Sequence, residues 1–379
     1  MFITLLFYRF MSRFALGNVF LRHFKEDYLW GAIKILILSI LIIVLITYIR
    51  LYRKKKKYLY KTQIRKKLES WISGGVLDMT PDELKKTPIP KNISANLNLR
   101  VRRQYLVNEL VDIRRSFSGE LGANLSIIYE RLGLKDISVK KLKSDKWFHR
   151  ARGIQELYIM EQRDTLDQIY EAANDDNEYV RMEAQTGIIH MQGYDGLKFL
   201  DEADYYLTEW QQLKILQQLD DYERTPALHK GITNWLKSEN DSVVLFGLRL
   251  TDHYGLKDEH DNVVKCLEHP NENIREQAVT TLSHIPNDRT ADLLVKRFPN
   301  EKLHGQLNIL DALELVATER QEAFLSGLLS DESGLVRLKA ARVLAVCCPG
   351  GLSALEARAT KEPDRYKGIY LHAKKQLAK

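Results

Sequence analysis

The longest apolar stretch of the chain lies near its amino terminus, at residues 29–49. Leucine, isoleucine and valine dominate it, and residues 35–49 contain no charge and no proline. About 20 mostly apolar residues in a helix are enough to cross a bilayer. The one charge, Lys34, is near enough to the amino end to reach the interface. The pattern predicts a transmembrane helix over residues 29–49, with Trp30 and Tyr48 near the headgroups.

A block of basic residues follows this stretch. Residues 50–67, the basic block, carry ten lysines and arginines and no acid, whereas residues 1–28 carry four, offset by two acids. A signal peptide would end in a small-residue cleavage site, so the block favours a stop-transfer flank. Because an excess of Lys and Arg marks the cytoplasmic side, we expect a single pass through the inner membrane and a cytoplasmic C-terminal domain. The residues expected to contact anionic lipid headgroups are Arg50, Arg53, Lys54, Lys55, Lys56 and Lys57.

Three further segments precede the repeats described below. Residues 1–28 are apolar and aromatic with spaced arginines, which predicts an interfacial segment on the membrane; a translation start at Met11 is an alternative. Residues 50–91 are predicted to form a basic juxtamembrane helix, broken at Ser73-Gly74-Gly75, and a proline-containing linker. Residues 92–145 carry apolar positions at helical spacing and are predicted to form a helical N-terminal cap.

Beyond residue 145 the apolar spacing stays helical, and no alternating stretch predicts a strand. A bulky residue followed four positions later by a small one recurs at a period of about 31 residues, which indicates a repeat protein. Five pairs show the pattern: Trp147/Ala151, Val180/Ala184, Val243/Gly247, Ile274/Ala278 and Val336/Ala340. Arginine directly follows the bulky residue in the second, fourth and fifth pairs, and an acidic or Asn-rich turn precedes it. Degenerate copies fall near residues 207–213 and 303–307.

These blocks resemble HEAT repeats of the short bacterial type, also called lyase-like HEAT repeats. The recurring element is a helix, an Asn/Asp-rich turn and Val-Arg-x-x-Ala opening a second helix. It is matched well by DDNEYVRMEA, NENIREQA and DESGLVRLKA, and poorly by NDSVVLFG. The resemblance implies an all-α fold, with an α-solenoid of about seven HEAT-like helix pairs over residues 146–379. It also implies that the arginines and the preceding acids bridge the turns of successive repeats.

Charge divides the chain into a basic and an acidic part. The total is +7, but residues 153–379 carry 26 basic and 38 acidic residues, a net charge of −12. A solenoid that wraps nucleic acid needs the opposite balance, so nucleic acid is not an expected partner. The acidic runs at residues 201–204 and 220–223 are expected to be solvated helix ends or turns. On a concave face they would select basic partners.

Patterns that carry chemistry are scarce. The sequence contains no phosphate-binding loop, no His-Glu-x-x-His motif and no serine elbow. His253 and His260, with acids at residues 252 and 258–261, would bind a metal only if they converged. We interpret them as polar residues of a connection between helix pairs. Neither a disulfide framework nor a metal pair is formed by the three cysteines, Cys266, Cys347 and Cys348. We therefore expect no catalytic residue, cofactor or metal.

Three tryptophans, Trp147, Trp210 and Trp235, admit two interpretations. They could line a groove as binding anchors. Packing between repeats is the expectation, because large aromatic side chains are usually part of the core.

The function these patterns favour is that of a membrane-anchored scaffold or adaptor, not an enzyme. It would present an acidic solenoid to a protein partner, for example a membrane-associated enzyme or a signalling complex. One alternative is a lyase-like HEAT enzyme or a protein that binds a chromophore or another small molecule. Another is an extracytoplasmic solenoid, suggested only by the glycosylation-type triplets Asn92-Ile93-Ser94 and Asn124-Leu125-Ser126.

Overall fold

All regular structure in the described part of the chain is helical, as the sequence predicts. The computed structural model describes residues 26–76, 79–117, 119–220, 222 and 226–377. They form two compact units. The N-terminal unit comprises residues 26–113 and 119–127, and the repeat unit comprises residues 114–117 and 128–377. Nearly all of the interfacial segment predicted over residues 1–28 lies outside the described residues.

The N-terminal unit begins with α1 (Glu26–Ser73), one unbroken helix that contains both the apolar stretch and the basic block. Within the described residues, α1 is the one helix long and apolar enough, by length and composition, to cross a membrane. Every side chain from Ile33 to Leu59 is exposed, on all sides of the helix. A helix that is apolar all round is typical of a protein core or a bilayer, and none of the described residues forms a core around this one.

The last third of α1 belongs to the core of the N-terminal unit. Ile64, Leu68 and Ile72 are buried and recur every four residues, so they form one face of the helix. The helix ends at Ser73, where Gly74 and Gly75 follow in the sequence.

Four shorter helices follow α1. Thr80 caps the first of them through a capping box with Glu83, and Pro81 occupies its first position, as its sequence predicts. The last of the four begins in the N-terminal unit and ends in the repeat unit. The helices are α2 (Pro81–Lys86), α3 (Lys91–Ser94), α4 (Arg100–Arg114) and α5 (Gly119–Arg131).

The repeat unit is a row of eight helix pairs within the described residues, each a first helix, a turn and a second helix. The pairs are α6 (Lys135–Leu142) with α7 (Trp147–Ile159), α8 (Leu166–Glu171) with α9 (Glu178–Gln192), a 3₁₀ helix (Gly193–Glu202) with α10 (Glu209–Leu219), α11 (Pro226–Trp235) with α12 (Asp241–Tyr254), α13 (His260–Cys266) with α14 (Glu272–His284), α15 (Thr290–Arg297) with α16 (Leu303–Val316), α17 (Glu322–Leu328) with α18 (Gly334–Cys347), and α19 (Gly351–Lys361) with α20 (Pro363–Leu377).

Second helices of successive pairs contact one another, as HEAT-like stacking requires. Helices α10 and α12 pack less closely than the other successive second helices, and hydrogen bonds join their two pairs. Gln212 Nε2 donates to the carbonyl oxygen of Ser242 at 3.3 Å, and the backbone N–H of Leu207 donates to Ser242 Oγ at 2.8 Å. Each pair thus covers the apolar face of the next.

Four of the five predicted residue pairs occupy the core. Val180/Ala184, Val243/Gly247, Ile274/Ala278 and Val336/Ala340 are all buried. The prediction for Trp147/Ala151 is wrong, because Trp147 is exposed and Ala151 is only half-buried. The buried small residue of α7 is Gly153, two positions later.

The number of pairs also differs from the prediction of about seven. The first helix of the row, α6, lies within residues 92–145, which the sequence assigns to a cap. A Cβ atom at Gly153 of α7 would lie 2.5 Å from the backbone nitrogen of Leu142 in α6. Helices α6 and α7 therefore pack closely together, as the two helices of a pair do.

Candidate interaction surface

One arginine near the start of a second helix holds the turn that precedes it. In four repeats its Nη1 donates to the carbonyl oxygens of the residues five and six positions earlier, at 2.7–3.1 Å. The four are Arg150, Arg181, Arg275 and Arg337. The sequence prediction missed the first of them, although its position 31 residues before Arg181 matches the repeat period.

Three of the four arginines also reach the next repeat. Arg150 forms a two-pronged ion pair with Asp175, and Arg275 forms one with Glu301 at 2.7 and 3.0 Å. Arg181 instead stacks its guanidinium 4.5 Å from the ring centroid of Tyr205. The predicted bridging between turns of successive repeats is therefore present, and it fixes the positions of the turns along this edge.

The two arginine partners of Glu301 lower the pKa of its carboxyl group. Burial would raise the pKa of this carboxyl, but hydrogen bonds from Arg275 and from Arg297, the latter at 2.7 Å, outweigh burial and hold the pKa below its usual range. The group is therefore a stable carboxylate shared by two guanidinium groups.

A row of exposed aromatic side chains lies beside the turns held by Arg150 and Arg181 and beside the next turn, which precedes α10. Phe148, Tyr179 and Trp210 occupy equivalent positions, two residues before Arg150, Arg181 and Gln212, and their exposed fractions are 50%, 60% and 68%. Equivalent positions on packed helices are about 8–10 Å apart. Trp147 completes this aromatic row, since its ring stacks on Tyr179 with centroids 5.3 Å apart and meets Phe148 edge-on at 5.8 Å.

Of the three tryptophans considered as core residues or binding anchors, one is buried and two are exposed. Trp235 packs in the core as expected, and its indole N–H donates to Asp201 Oδ1 at 2.8 Å. For Trp147 and Trp210 the packing prediction is wrong, because both lie on the surface. Each falls near the start of a second helix, outside the positions that are buried between the pairs.

Acidic side chains border the aromatic row. Asp176 and Glu178 are exposed at the start of α9. The acidic run at residues 201–204 ends the 3₁₀ helix before α10, at a helix end as predicted, and lines a shallow depression with Tyr206 and Glu239. In the second run, Asp220 pairs with His253 at 3.1 Å, and residues 221 and 223 lie outside the described part. Beside Tyr179 and Trp210 the edge therefore combines apolar rings with negative charge, whereas the exposed Lys143 and Lys146 precede Trp147.

A second concave feature, the polar groove, crosses the exposed faces of the second helices. It has a volume of about 610 Å³. Its charged side chains are paired across repeats: Arg249 with Glu209 at 2.7 Å, His304 with Glu276 at 3.3 Å, and Lys339 with Asp311. Because most of these charges are paired, the groove carries little net charge.

The histidines and cysteines considered as metal ligands contact different residues in different parts of the repeat unit. Within the described ranges, no group of three or more His, Cys, Asp or Glu side chains could hold a metal ion. His260 is buried, and its Nε2 contacts Thr290 Oγ1 at 2.9 Å, whereas His253 is exposed beside Asp220. Burial raises the pKa of the Cys266 thiol to about 11, so this group is not a thiolate at neutral pH.

The six residues expected to contact lipid headgroups all lie exposed on α1, directly after its apolar stretch. They are Arg50, Arg53, Lys54, Lys55, Lys56 and Lys57.

Comparison with known proteins gives no family. No family model matches the chain, and no curated protein matches it. Solved structures to which it is similar include an engineered protein of the Northeast Structural Genomics Consortium, with 13% identity and a TM-score of 0.36 over 84% of this chain and 99% of that one. A mutant of Kap121p has 14% identity and a TM-score of 0.49 over 77% and 38%. The complex of CpcE and CpcF of phycocyanin lyase from Nostoc sp. has 14% identity and a TM-score of 0.24 over 68% and 88%. These likenesses transfer no function.

Proposed function

We propose that this chain is a scaffold, anchored in the inner membrane by α1, that presents its repeat unit to a protein partner in the cytoplasm. The observation that carries the proposal is the aromatic row. Large aromatic side chains are enriched at the centres of protein interfaces, where burying them contributes most of the binding free energy. Here four of them lie exposed along three successive repeats, a surface suited to an extended contact.

The acidic border of the row defines the kind of partner. Cationic side chains are attracted to the faces of Trp and Tyr rings, and the surrounding carboxylates add a long-range attraction. A partner segment that carries Arg or Lys beside apolar residues would make both kinds of attraction. Nucleic acid is disfavoured, because the net charge of −12 over residues 153–379 repels phosphate.

Membrane anchoring rests on α1. Its exposed apolar stretch has the length and composition of a span, and the exposed basic block follows at once. The anchor would raise the effective concentration of the repeat unit near membrane-bound partners. Under this proposal the chain acts by binding, without catalysis or a cofactor.

The test is affinity purification of the full-length protein from membranes, with partners identified by mass spectrometry and then bound as purified proteins. The variant carries Tyr179→Ala and Trp210→Ala. Its matched control carries Leu315→Ala and Leu335→Ala, two exposed apolar residues of the same unit outside the row. We expect the partner's affinity to fall at least tenfold for the row variant and to stay unchanged for the control, with equal thermal unfolding. Equal affinity for all three proteins would refute the proposal.

The polar groove supports a second candidate, a protein that binds a small molecule or attaches a chromophore. Its volume of about 610 Å³ is in the range of ligand sites. The discriminating observation is the absorption spectrum and mass of the protein purified without added ligand. A bound chromophore or metabolite that is displaced by Arg249→Ala, with no protein partner recovered, would replace the scaffold proposal.

A further inference from the structure

Helix α4 runs alongside α1 in the same direction. Near its start, the guanidinium of Arg102 lies 4.9 Å from the ring centroid of Tyr60. Further along both helices, the carboxylate of Glu109 contacts Lys61 at 3.4 Å and Arg65 at 3.9 Å. Residue numbers thus increase together along the two helices. The amino end of α4 therefore points along α1 toward the basic block.

That end of α4 carries an exposed apolar and cationic cluster. Leu99 and Val101 have exposed fractions of 53% and 64%, and Arg100 between them is exposed as well. Arg102, the residue after Val101, is fixed against Tyr60. Exposed apolar and cationic side chains close together suit the interface of an anionic membrane, where apolar groups enter the acyl boundary and cations meet the headgroups.

The position of the cluster along α1 agrees with this. At 1.5 Å per residue, Tyr60 is about 16 Å beyond Ile49, where the apolar stretch ends. Leu99 precedes Arg102 by three residues, about 4–5 Å along a helix, which places it about 12 Å beyond Ile49. The headgroup layer on each side is about 5–8 Å thick, and helices tilt by about 20° on average. Long cationic side chains at this height can reach the phosphates.

We propose that Leu99, Arg100 and Val101 form a second contact with the anionic membrane surface, beside the span itself. The proposal rests on membrane anchoring by α1. Two contacts on one bilayer, at α1 and at the start of α4, fix the orientation of the N-terminal unit on the membrane. A single helical anchor would leave that unit free to rotate about the axis of α1. The occupant is lipid because the cluster continues the surface of the basic block.

The experiment places an environment-sensitive NBD label at position 101 of the full-length protein, through Val101→Cys in a Cys347→Ser background. The control label is attached through Leu335→Cys in the repeat unit. Both proteins are reconstituted into nanodiscs of phosphatidylcholine, with or without one quarter phosphatidylserine. We expect at least a twofold rise and a blue shift of emission at position 101 in the anionic discs relative to detergent, and no change at position 335.

A charge-reversal variant supplies the second readout. Arg100→Glu should remove most of the emission rise at position 101 in anionic discs, while circular dichroism stays unchanged. Two results would overturn the inference. Unchanged emission at position 101 in a protein that is incorporated into the discs would refute the second contact and leave the anchor intact. Failure of the protein to incorporate at all would refute the anchor, and the second contact with it.

Discussion

Arg150 and Asp175 join two successive helix pairs through a pair of hydrogen bonds, Nε to Oδ2 at 2.7 Å and Nη2 to Oδ1 at 2.8 Å. The remaining Nη1 donates to the carbonyl oxygens of Ser144 and Asp145, both at 3.1 Å. The Arg150 guanidinium therefore hydrogen-bonds both to the turn before α7 and to the turn before α9. The aromatic row lies directly on these turns, so its spacing depends on this side chain.

Replacing Arg150 with lysine should weaken this connection. An ammonium group cannot form the paired bonds and also reach two carbonyl oxygens, so we expect a loss of about 1–2 kcal/mol in the free energy of unfolding. Urea denaturation followed by far-ultraviolet circular dichroism measures it. The control is Arg320→Lys at an exposed site, which should change stability little. Equal stability of the two variants would show that the pair contributes nothing beyond its charge.

Gly153 is required by the close packing of α7 on α6. A Cβ atom there would lie 2.5 Å from the Leu142 nitrogen and 2.6 Å from the Ser138 oxygen, both backbone atoms that cannot move independently. Gly153→Ala should therefore destabilise the protein by about 1–3 kcal/mol, the usual cost of overpacking. Gly327→Ala is the matched control, because a Cβ atom there would have no neighbour within 4 Å and alanine favours a helix. A thermal melt in which both variants match the wild type would contradict the packing argument.

Much of the fold follows from periodicity alone. Val180, Ile274 and Val336 could be assigned to the core because each opens a second helix and is followed four residues later by alanine. Burial demands such a pattern, so the pattern is visible in the sequence. The apolar stretch of α1 is visible for the same reason.

The candidate surface could not be found in this way. Trp147 and Trp210 are as hydrophobic as the buried Trp235, and residue type does not reveal whether a position faces core or solvent. Only the position of each tryptophan within its repeat distinguishes the buried one from the exposed ones. In α7 the correct position is found by aligning Arg150 with Arg181, and not by aligning Trp147 with Val180. Phe148, Tyr179 and Trp210 do recur at the 31-residue period, but the period alone does not show whether an aromatic position is buried or exposed.

The ion pairs of Glu301 predict a dependence of stability on pH. Its pKa is lower in the folded protein than in the unfolded chain, so its contribution is present above the unfolded pKa and is lost as the pH falls through the folded pKa. We expect the wild type to lose stability below about pH 5 more steeply than Glu301→Gln. Near neutral pH the same substitution should cost about 3 kcal/mol, because it leaves Arg275 without its carboxylate and Arg297 with Glu268 alone. Parallel pH profiles of the unfolding midpoint would contradict this assignment.

The exposed apolar surface of α1 predicts that the protein resists extraction from membranes by alkaline carbonate. Ile40 and Ile43 lie in the middle of the apolar stretch. Arginine at the centre of a span costs about 2.5–3.5 kcal/mol on the insertion scale, so Ile40→Arg combined with Ile43→Arg should release much of the protein into the soluble fraction. Leu59→Arg, beyond the six basic residues Arg50 to Lys57, is the control and should remain in the pellet. If carbonate releases the wild type as readily as the double variant, α1 is not a transmembrane anchor.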